Sequence, residues 1–66
     1  AASLVNINTA GEAELQSLPG IGPTLAQRIV AYREEHGPFR YLYELSNVSG
    51  IGSKTYEAVM DLITID

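Results

Sequence analysis

The chain has 66 residues, near the lower size limit for a domain that folds alone, and it contains no cysteine for a disulfide or a thiolate metal site. Its apolar residues, 45% of the sequence, must therefore supply the stability through close helix packing. The net charge of -4 excludes a polycation that coats nucleic acid, so any nucleic-acid function has to use a local site.

The first part of the chain predicts two helices joined by a tight turn. Thr9 and Glu12 have the spacing of a capping box, which predicts a short helix over residues 10–17. Proline is favourable at a first helical position, and Pro23 is followed by apolar residues at helical spacing. A longer helix is therefore expected over residues 23–35.

The second part of the chain predicts the same arrangement. A short helix is expected over residues 41–47, followed by a turn and by a helix over residues 53–62 that Gly52 or Ser53 caps. The last residues are apolar and are expected to pack against the beginning of the chain, near Val5. No strand is predicted, so the fold class is all-α.

A repeat relates the two parts. When the chain is aligned with itself at an offset of 30 residues, Gly20-Ile21-Gly22 coincides with Gly50-Ile51-Gly52, and the flanking residues match on both sides. Such a match indicates a duplicated supersecondary unit rather than a chance tripeptide. We therefore predict a compact, all-α domain of four to five short helices with a pseudo-two-fold repeat. It comprises a linker edge (residues 1–4) and a single domain (residues 5–65), with a first hairpin near residues 18–23 and a second hairpin near residues 48–53.

The Gly-Ile-Gly segment suits an anion site built from backbone. Its first glycine can adopt the positive φ of a sharp turn, and its isoleucine can anchor the turn in the core. Its second glycine lets another molecule approach the start of the next helix, where free N–H groups and a partial positive charge favour a phosphate. The alternative is that the glycines only permit the turn and close helix packing.

These residues carry a family resemblance. LPGIG at residues 18–22 and VSGIGSKT at residues 48–55 resemble paired helix-hairpin-helix motifs. With VNINTA at residues 5–10 and AYREEHGPF at residues 31–39, the chain resembles the C-terminal DNA-binding domain of ComEA-type competence proteins. The resemblance implies binding of double-stranded DNA without sequence preference, during DNA uptake in natural transformation. It also implies a location outside the cytoplasmic membrane, to which an upstream segment tethers the domain.

The resemblance also implies which residues bind DNA. Backbone N–H groups would contact phosphates, Lys54 would add a point charge, and the two isoleucines would hold the turns without touching DNA. Thr24 stands where relatives often carry lysine, and Arg28, one helical turn further on, is expected to compensate. The residues of the DNA-binding site, including the two isoleucines that hold its turns, are therefore expected to be Gly20, Ile21, Gly22, Thr24 and Arg28 in the first hairpin and its helix, and Gly50, Ile51, Gly52, Lys54 and Thr55 in the second.

The acidic residues mostly avoid the two hairpins. Residues 18–28 and 48–58 together carry a net charge of +1, whereas the rest of the chain carries -5. A few phosphate contacts without other basic residues around them predict weak, salt-sensitive binding of DNA that does not depend on the base sequence. No cofactor is implied, although a monovalent cation on the hairpin carbonyls of Leu18, Gly20, Val48 and Gly50 stays open.

Two other functions remain open. The acidic surface and the pair Tyr41 and Tyr43 would also suit a protein-interaction module with little DNA affinity. A DNA-targeting domain from a repair protein would carry the same hairpins. No enzyme is predicted, because the single histidine, His36, has no partner for general-base or metal chemistry.

Overall fold

The described chain is built mainly from helices that follow one another in two similar pairs. The computed structural model describes residues 4–66, and residues 1–3 of the expected linker edge lie outside this part. The all-α class is confirmed, and no helix within residues 4–66 is long and apolar enough to cross a membrane. In chain order the elements are β1 (Val5–Asn6), α1 (Glu12–Leu15), α2 (Pro23–His36), a 3₁₀ helix (Leu42–Asn47), α3 (Ser53–Val59) and β2 (Ile63–Thr64).

Helix α2 confirms the prediction over residues 23–35 and extends it by one residue. Pro23 is its first helical residue, and Gly22 is its N-cap. Ala26 and Ile29 are fully buried, and Leu25 packs against the same core. The apolar stripe predicted from the helical spacing therefore packs one face of α2 against α1 and the core.

Helix α1 is shorter than predicted, and the expected capping box at Thr9 is wrong. The helix begins at Glu12 after Gly11, and no side chain caps it. The reason is a tight turn immediately before it, in which the Asn6 carbonyl accepts the N–H groups of Thr9 and Ala10 at 3.1 and 2.8 Å. Thr9 is held inside this turn and cannot serve as a helix cap.

The beginning and the end of the chain pair as a short parallel ladder that the sequence did not predict. Val5 pairs with Ile63, and Asn6 pairs with Thr64. The expectation that the tail packs near Val5 is thus confirmed. The helix predicted to residue 62 ends at Val59, because the chain turns there and the Leu62 carbonyl accepts the Val5 N–H at 2.9 Å.

Asn8 ties three distant segments together. Its Nδ2 donates to the carbonyls of Phe39 at 3.0 Å and Ile65 at 3.2 Å, and its Oδ1 accepts the Phe39 N–H at 2.7 Å. Arg33 adds a bond from Nη1 to the Ile7 carbonyl at 3.0 Å. These bonds satisfy backbone groups of irregular segments that no helix or strand pairs.

The residues between α2 and the second hairpin form a 3₁₀ helix where a short helix was predicted. Tyr41 precedes it, and the Glu44 carboxylate accepts the N–H groups of Arg40 at 2.6 Å and of Tyr41 at 3.3 Å. Leu45 is fully buried and fixes this segment against α3. The 3₁₀ helix therefore enters the second hairpin along a fixed path.

Candidate nucleic-acid interface

Both hairpins turn at a glycine with a left-handed backbone. Gly20 has φ 81° and Gly50 has φ 94°, values that residues with a Cβ rarely adopt. Each turn is closed by the N–H of the isoleucine that follows, which donates to Leu18 O at 3.1 Å in the first hairpin and to Val48 O at 3.0 Å in the second. The first glycine of each Gly-Ile-Gly segment is therefore required by the turn.

The isoleucines lie in the core, as the sequence predicts. Ile21 is 4% exposed and Ile51 is 3% exposed. Their side chains anchor each turn in the core, whereas the glycines on either side are exposed on the surface.

The second glycine of each Gly-Ile-Gly segment differs from the first, because its backbone conformation does not require glycine. Gly22 and Gly52 are the N-caps of α2 and α3, with φ, ψ of -94°, -173° and -93°, -174°. These are extended values that any residue adopts. Among residues 4–66, no atom lies within 4 Å of a Cβ built on either glycine. The space above both helix starts is open, and a side chain there would project into it.

Each helix start has backbone N–H groups that are available to a ligand. The first intrahelical bonds run from Ala26 N–H to Gly22 O at 2.9 Å and from Tyr56 N–H to Gly52 O at 3.0 Å, so the preceding N–H groups have no helical partner. Ser53 is the first residue of α3 and not its cap, and it offers an N–H where Pro23 offers none. The available donors are Gly22, Thr24 and Leu25 in the first hairpin and Gly52, Ser53, Lys54 and Thr55 in the second.

Each turn packs against the helix that follows the other turn. A Cβ on Gly20 would lie 3.6 Å from Thr55 Cγ2 of α3, and a Cβ on Gly50 would lie 2.8 Å from Leu25 Cδ2 of α2. Leu25 and Thr55 occupy equivalent positions at the offset of 30 residues. The duplicated sequence thus produces a reciprocal packing that places the two hairpins side by side.

Arg28 also crosses to the other hairpin. Its Nη1 donates to the Ser49 carbonyl at 3.1 Å and would lie 2.8 Å from a Cβ on Gly50. The Arg28 guanidinium therefore lies at the second hairpin, and the expected compensation for Thr24 stays a prediction. The signal that could have indicated this is the repeat itself, which makes α2 the neighbour of the second turn.

The sequence of this chain matches a known family. The family model described as "Helix-hairpin-helix motif" matches residues 1–64. The chain belongs to the helix-hairpin-helix family. This membership supports DNA binding in general for the domain.

Several larger proteins contain a similar helix-hairpin-helix segment. The chain is 49% identical over 63 residues to "ComE operon protein 1" of Bacillus subtilis, which covers 96% of this chain and 31% of that protein. It is 50% identical over 60 residues to an uncharacterized protein of Haemophilus influenzae, covering 89% of this chain and 54% of that protein. It is also 47% identical over 55 residues to the human "Endonuclease/exonuclease/phosphatase family domain-containing protein 1", covering 83% of this chain and 10% of that protein. The chain thus spans about half or less of each of these relatives.

The side chains around the helix-hairpin-helix turns differ between the two halves. Thr24 and Lys54 are both exposed at equivalent positions in the first turns of α2 and α3. With Arg28 at the Ser49 carbonyl, the second hairpin has two side-chain cations nearby, and Thr24 brings none to the first. The interface is therefore asymmetric in charge although its backbone is repeated.

The monovalent cation at the hairpins, which the sequence leaves open, is a matter of the hairpin carbonyls. The Leu18 and Val48 carbonyls each accept the isoleucine N–H of their own turn, which leaves one lone pair on each oxygen for another ligand. Within residues 4–66, no three His, Cys, Asp or Glu side chains lie close enough together to hold a metal ion.

Tyr41 and Tyr43 form an exposed aromatic pair outside the hairpins. They are 56% and 60% exposed, and their rings stack with centroids 5.3 Å apart and an interplanar angle of 11°. Tyr32 and Tyr56, by contrast, are half-buried and pack against the core.

Proposed function

We propose that this domain binds double-stranded DNA without sequence preference, through backbone N–H groups of both hairpins that donate to phosphate oxygens. One observation carries the proposal. At two equivalent helix starts, Gly22 and Gly52 have backbone angles that any residue adopts and open space at the Cβ position, and the first N–H groups of each helix have no helical partner. A phosphate group fits this combination, because it accepts several N–H bonds and carries the charge that a helix N-terminus favours.

The proposed binding is weak and sensitive to salt. The hairpin regions carry +1 and the rest of the chain -5, so long-range attraction to DNA contributes little. Non-specific binding at physiological salt has a Kd of about 10⁻⁴ to 10⁻⁶ M, and this domain should fall in that range. Backbone contacts to phosphates carry no sequence information, so affinity should not depend on the base sequence.

Fluorescence anisotropy tests the proposal. A labelled duplex of random sequence is titrated with the domain at two salt concentrations, and a second duplex of unrelated sequence checks specificity. The expected result is equal binding to both duplexes that weakens as salt rises. Lys54→Gln should weaken binding to both and reduce the slope of log K against log salt by about 0.9. Arg40→Gln is the matched control, since it removes one exposed positive charge outside both hairpins. Absence of wild-type binding at low salt would refute the proposal.

We further propose that the domain serves a competence-type DNA receptor outside the cytoplasmic membrane, tethered by an upstream segment. The similarity to ComE operon protein 1 supports this role, since it covers 96% of the chain. The test is a chimera in which this chain replaces the matching segment of the Bacillus subtilis protein. Transformation at near wild-type frequency is expected, and the same chimera with Gly22→Ala and Gly52→Ala should lose it. A wild-type chimera that is produced but does not transform would contradict the receptor role.

A second candidate is a protein-interaction module, which the stacked and exposed pair Tyr41 and Tyr43 favours. Exposed aromatic side chains are enriched in protein interfaces because they bury a large area at low entropic cost. The double variant Tyr41→Ala/Tyr43→Ala separates the candidates. Unchanged duplex affinity in this variant is expected for the DNA-binding mode, whereas loss of a partner captured by the wild-type domain would support the second candidate.

The relative with a nuclease-family name favours a third candidate, a DNA-targeting domain within a larger protein. That name describes a protein of which this chain covers only 10%, so it assigns no catalytic activity to the domain. Our proposal accordingly includes no enzymatic step. Under the third candidate, duplex binding by the domain would be the same, but the chimera would not restore transformation.

A further inference from the structure

Arg28 makes a contact that has no equivalent in the other half of the molecule. From the second turn of α2 its Nη1 donates to the Ser49 carbonyl, and it lies beside Gly50, the residue with φ 94°. The equivalent pair at the offset of 30 residues is Ala58 and Pro19, and alanine cannot make this bond. The repeat therefore provides an internal comparison, with one hairpin held by a guanidinium and the other without it.

We propose that Arg28 is a positioning residue that holds the second hairpin in its phosphate-binding shape through the Ser49 carbonyl, so that this hairpin is the better ordered of the two. The Ser49 carbonyl belongs to the peptide bond that leads into Gly50. A hydrogen bond on this carbonyl fixes the orientation of that peptide and therefore the path of the chain into Gly50 and the N-cap Gly52.

The physical reason for such a residue is the conformational freedom of glycine. Gly50 and Gly52 bracket a single buried isoleucine, so most of the turn has few side-chain contacts that restrict it. A contact from α2, an element outside the turn, restricts it without occupying the N–H groups that face the open space. Preorganised donors bind better because less conformational entropy is lost on binding.

This role differs from the direct phosphate contact that the sequence predicts for Arg28. A side chain that binds a phosphate releases counterions, so removing it lowers the salt slope by about 0.9. A side chain that only orders the turn lowers affinity and leaves the slope unchanged. The two roles are thus distinguished by one measurement.

The first experiment uses the free protein and does not depend on DNA. The Ile51 N–H closes the second turn and the Ile21 N–H closes the first, so their hydrogen-exchange rates report the opening of each turn separately. Arg28→Gln should speed exchange at Ile51 about threefold or more and leave Ile21 unchanged. Equal acceleration at both sites would indicate general destabilisation, and no change at Ile51 would indicate no ordering; either result overturns the proposal.

A second experiment introduces an arginine at the first hairpin and tests whether it orders that turn. Ala58 is exposed on α3 at the position equivalent to Arg28, so Ala58→Arg should reach the Pro19 carbonyl and slow exchange at Ile21 while Ile51 stays the same. Ala58→Gln is the shorter, uncharged control and should have little effect. If Ala58→Arg does not slow exchange at Ile21, the proposal that an arginine at this position orders the adjacent turn is contradicted.

The binding experiment rests on the proposed DNA-binding function and is read separately. Arg28→Gln should weaken duplex binding by about three- to tenfold with an unchanged salt slope. Arg40→Gln controls for the lost charge. A reduced slope would overturn the positioning role in favour of direct phosphate contact. If the wild-type domain does not bind duplex DNA at all, the proposed function fails, while the exchange experiment still decides whether Arg28 orders the second hairpin.

Discussion

Three glycines in the same conformation give the sharpest test of the interface. Gly11, Gly22 and Gly52 are the N-caps of α1, α2 and α3, all with extended backbone angles. Within residues 4–66, no atom lies within 4 Å of a Cβ built on any of them. Gly→Ala therefore makes the same local change at all three sites. Only two of them belong to a Gly-Ile-Gly segment, so Gly11→Ala is a matched control.

The expected effects on folding and on binding have different sizes. Alanine is a poorer N-cap than glycine, which costs about 0.5–1 kcal/mol of folding free energy at each site. At Gly22 or Gly52 the added methyl group also occupies the space in which a phosphate oxygen would meet the N–H groups. Loss of one hydrogen bond to a charged group is worth about 1.5–3 kcal/mol, so each of these substitutions should weaken DNA binding about 10- to 150-fold. Gly11→Ala should not change the Kd.

The assay combines two measurements on the same samples. Thermal unfolding gives the cost in stability, and fluorescence anisotropy with a random-sequence duplex at low salt gives the Kd. Three similar melting temperatures together with loss of binding in only the two hairpin variants would support the mechanism. Wild-type affinity in Gly22→Ala and Gly52→Ala would refute it, because phosphates could not then approach at these helix starts.

Four further substitutions test the fold and the asymmetry of the interface. Asn8→Ala removes three hydrogen bonds and should cost about 2–3 kcal/mol, lowering the melting temperature by about 10 °C or more in a calorimetric scan. Gly20→Ala and Gly50→Ala should each cost about 1–2 kcal/mol for the positive φ. In denaturant titrations Gly50→Ala should lower the free energy of unfolding more than Gly20→Ala, because its Cβ would lie 2.8 Å from two side chains that must move. Thr24→Lys should tighten duplex binding and raise the salt slope by about 0.9, whereas the control Ala31→Lys, at an exposed position of α2 outside the hairpin regions, should do neither.

The sequence predicted the features that depend on local patterns. The stripe of α2 has a helical period that extends over four turns, so its bounds were correct within one residue. The repeat predicted both turns, because positive φ at Gly20 and Gly50 follows from steric rules that act within a few residues.

Contacts between distant segments were not predictable from these patterns. The bonds of Asn8 reach across 31 and 57 residues, and an asparagine before a turn looks the same whether or not such partners exist. The parallel ladder between Val5–Asn6 and Ile63–Thr64 is too short to produce an alternating pattern. The direction of Arg28 depends on the packing of α2 against the second turn, which only the assembled repeat determines.

The residues that are the same in both halves can be compared with those that differ, and the comparison distinguishes residues required for folding from residues expected to act in binding. Both halves keep the positive-φ glycine and the buried isoleucine, and without these a turn cannot close. Both also keep the N-cap glycine, although the fold would accept a Cβ there. Folding alone would accept serine, asparagine or aspartate as the cap at these positions, so the proposed phosphate ligand at both helix starts gives a reason for glycine in both halves. The halves differ instead at the residues that add charge, since Lys54 and Arg28 have the partners Thr24 and Ala58. Under the proposed function, the repeat supplies the backbone site twice, and the second copy has in addition the Lys54 charge and the Arg28 bond that orders its turn. The second hairpin is then expected to hold a phosphate more tightly than the first.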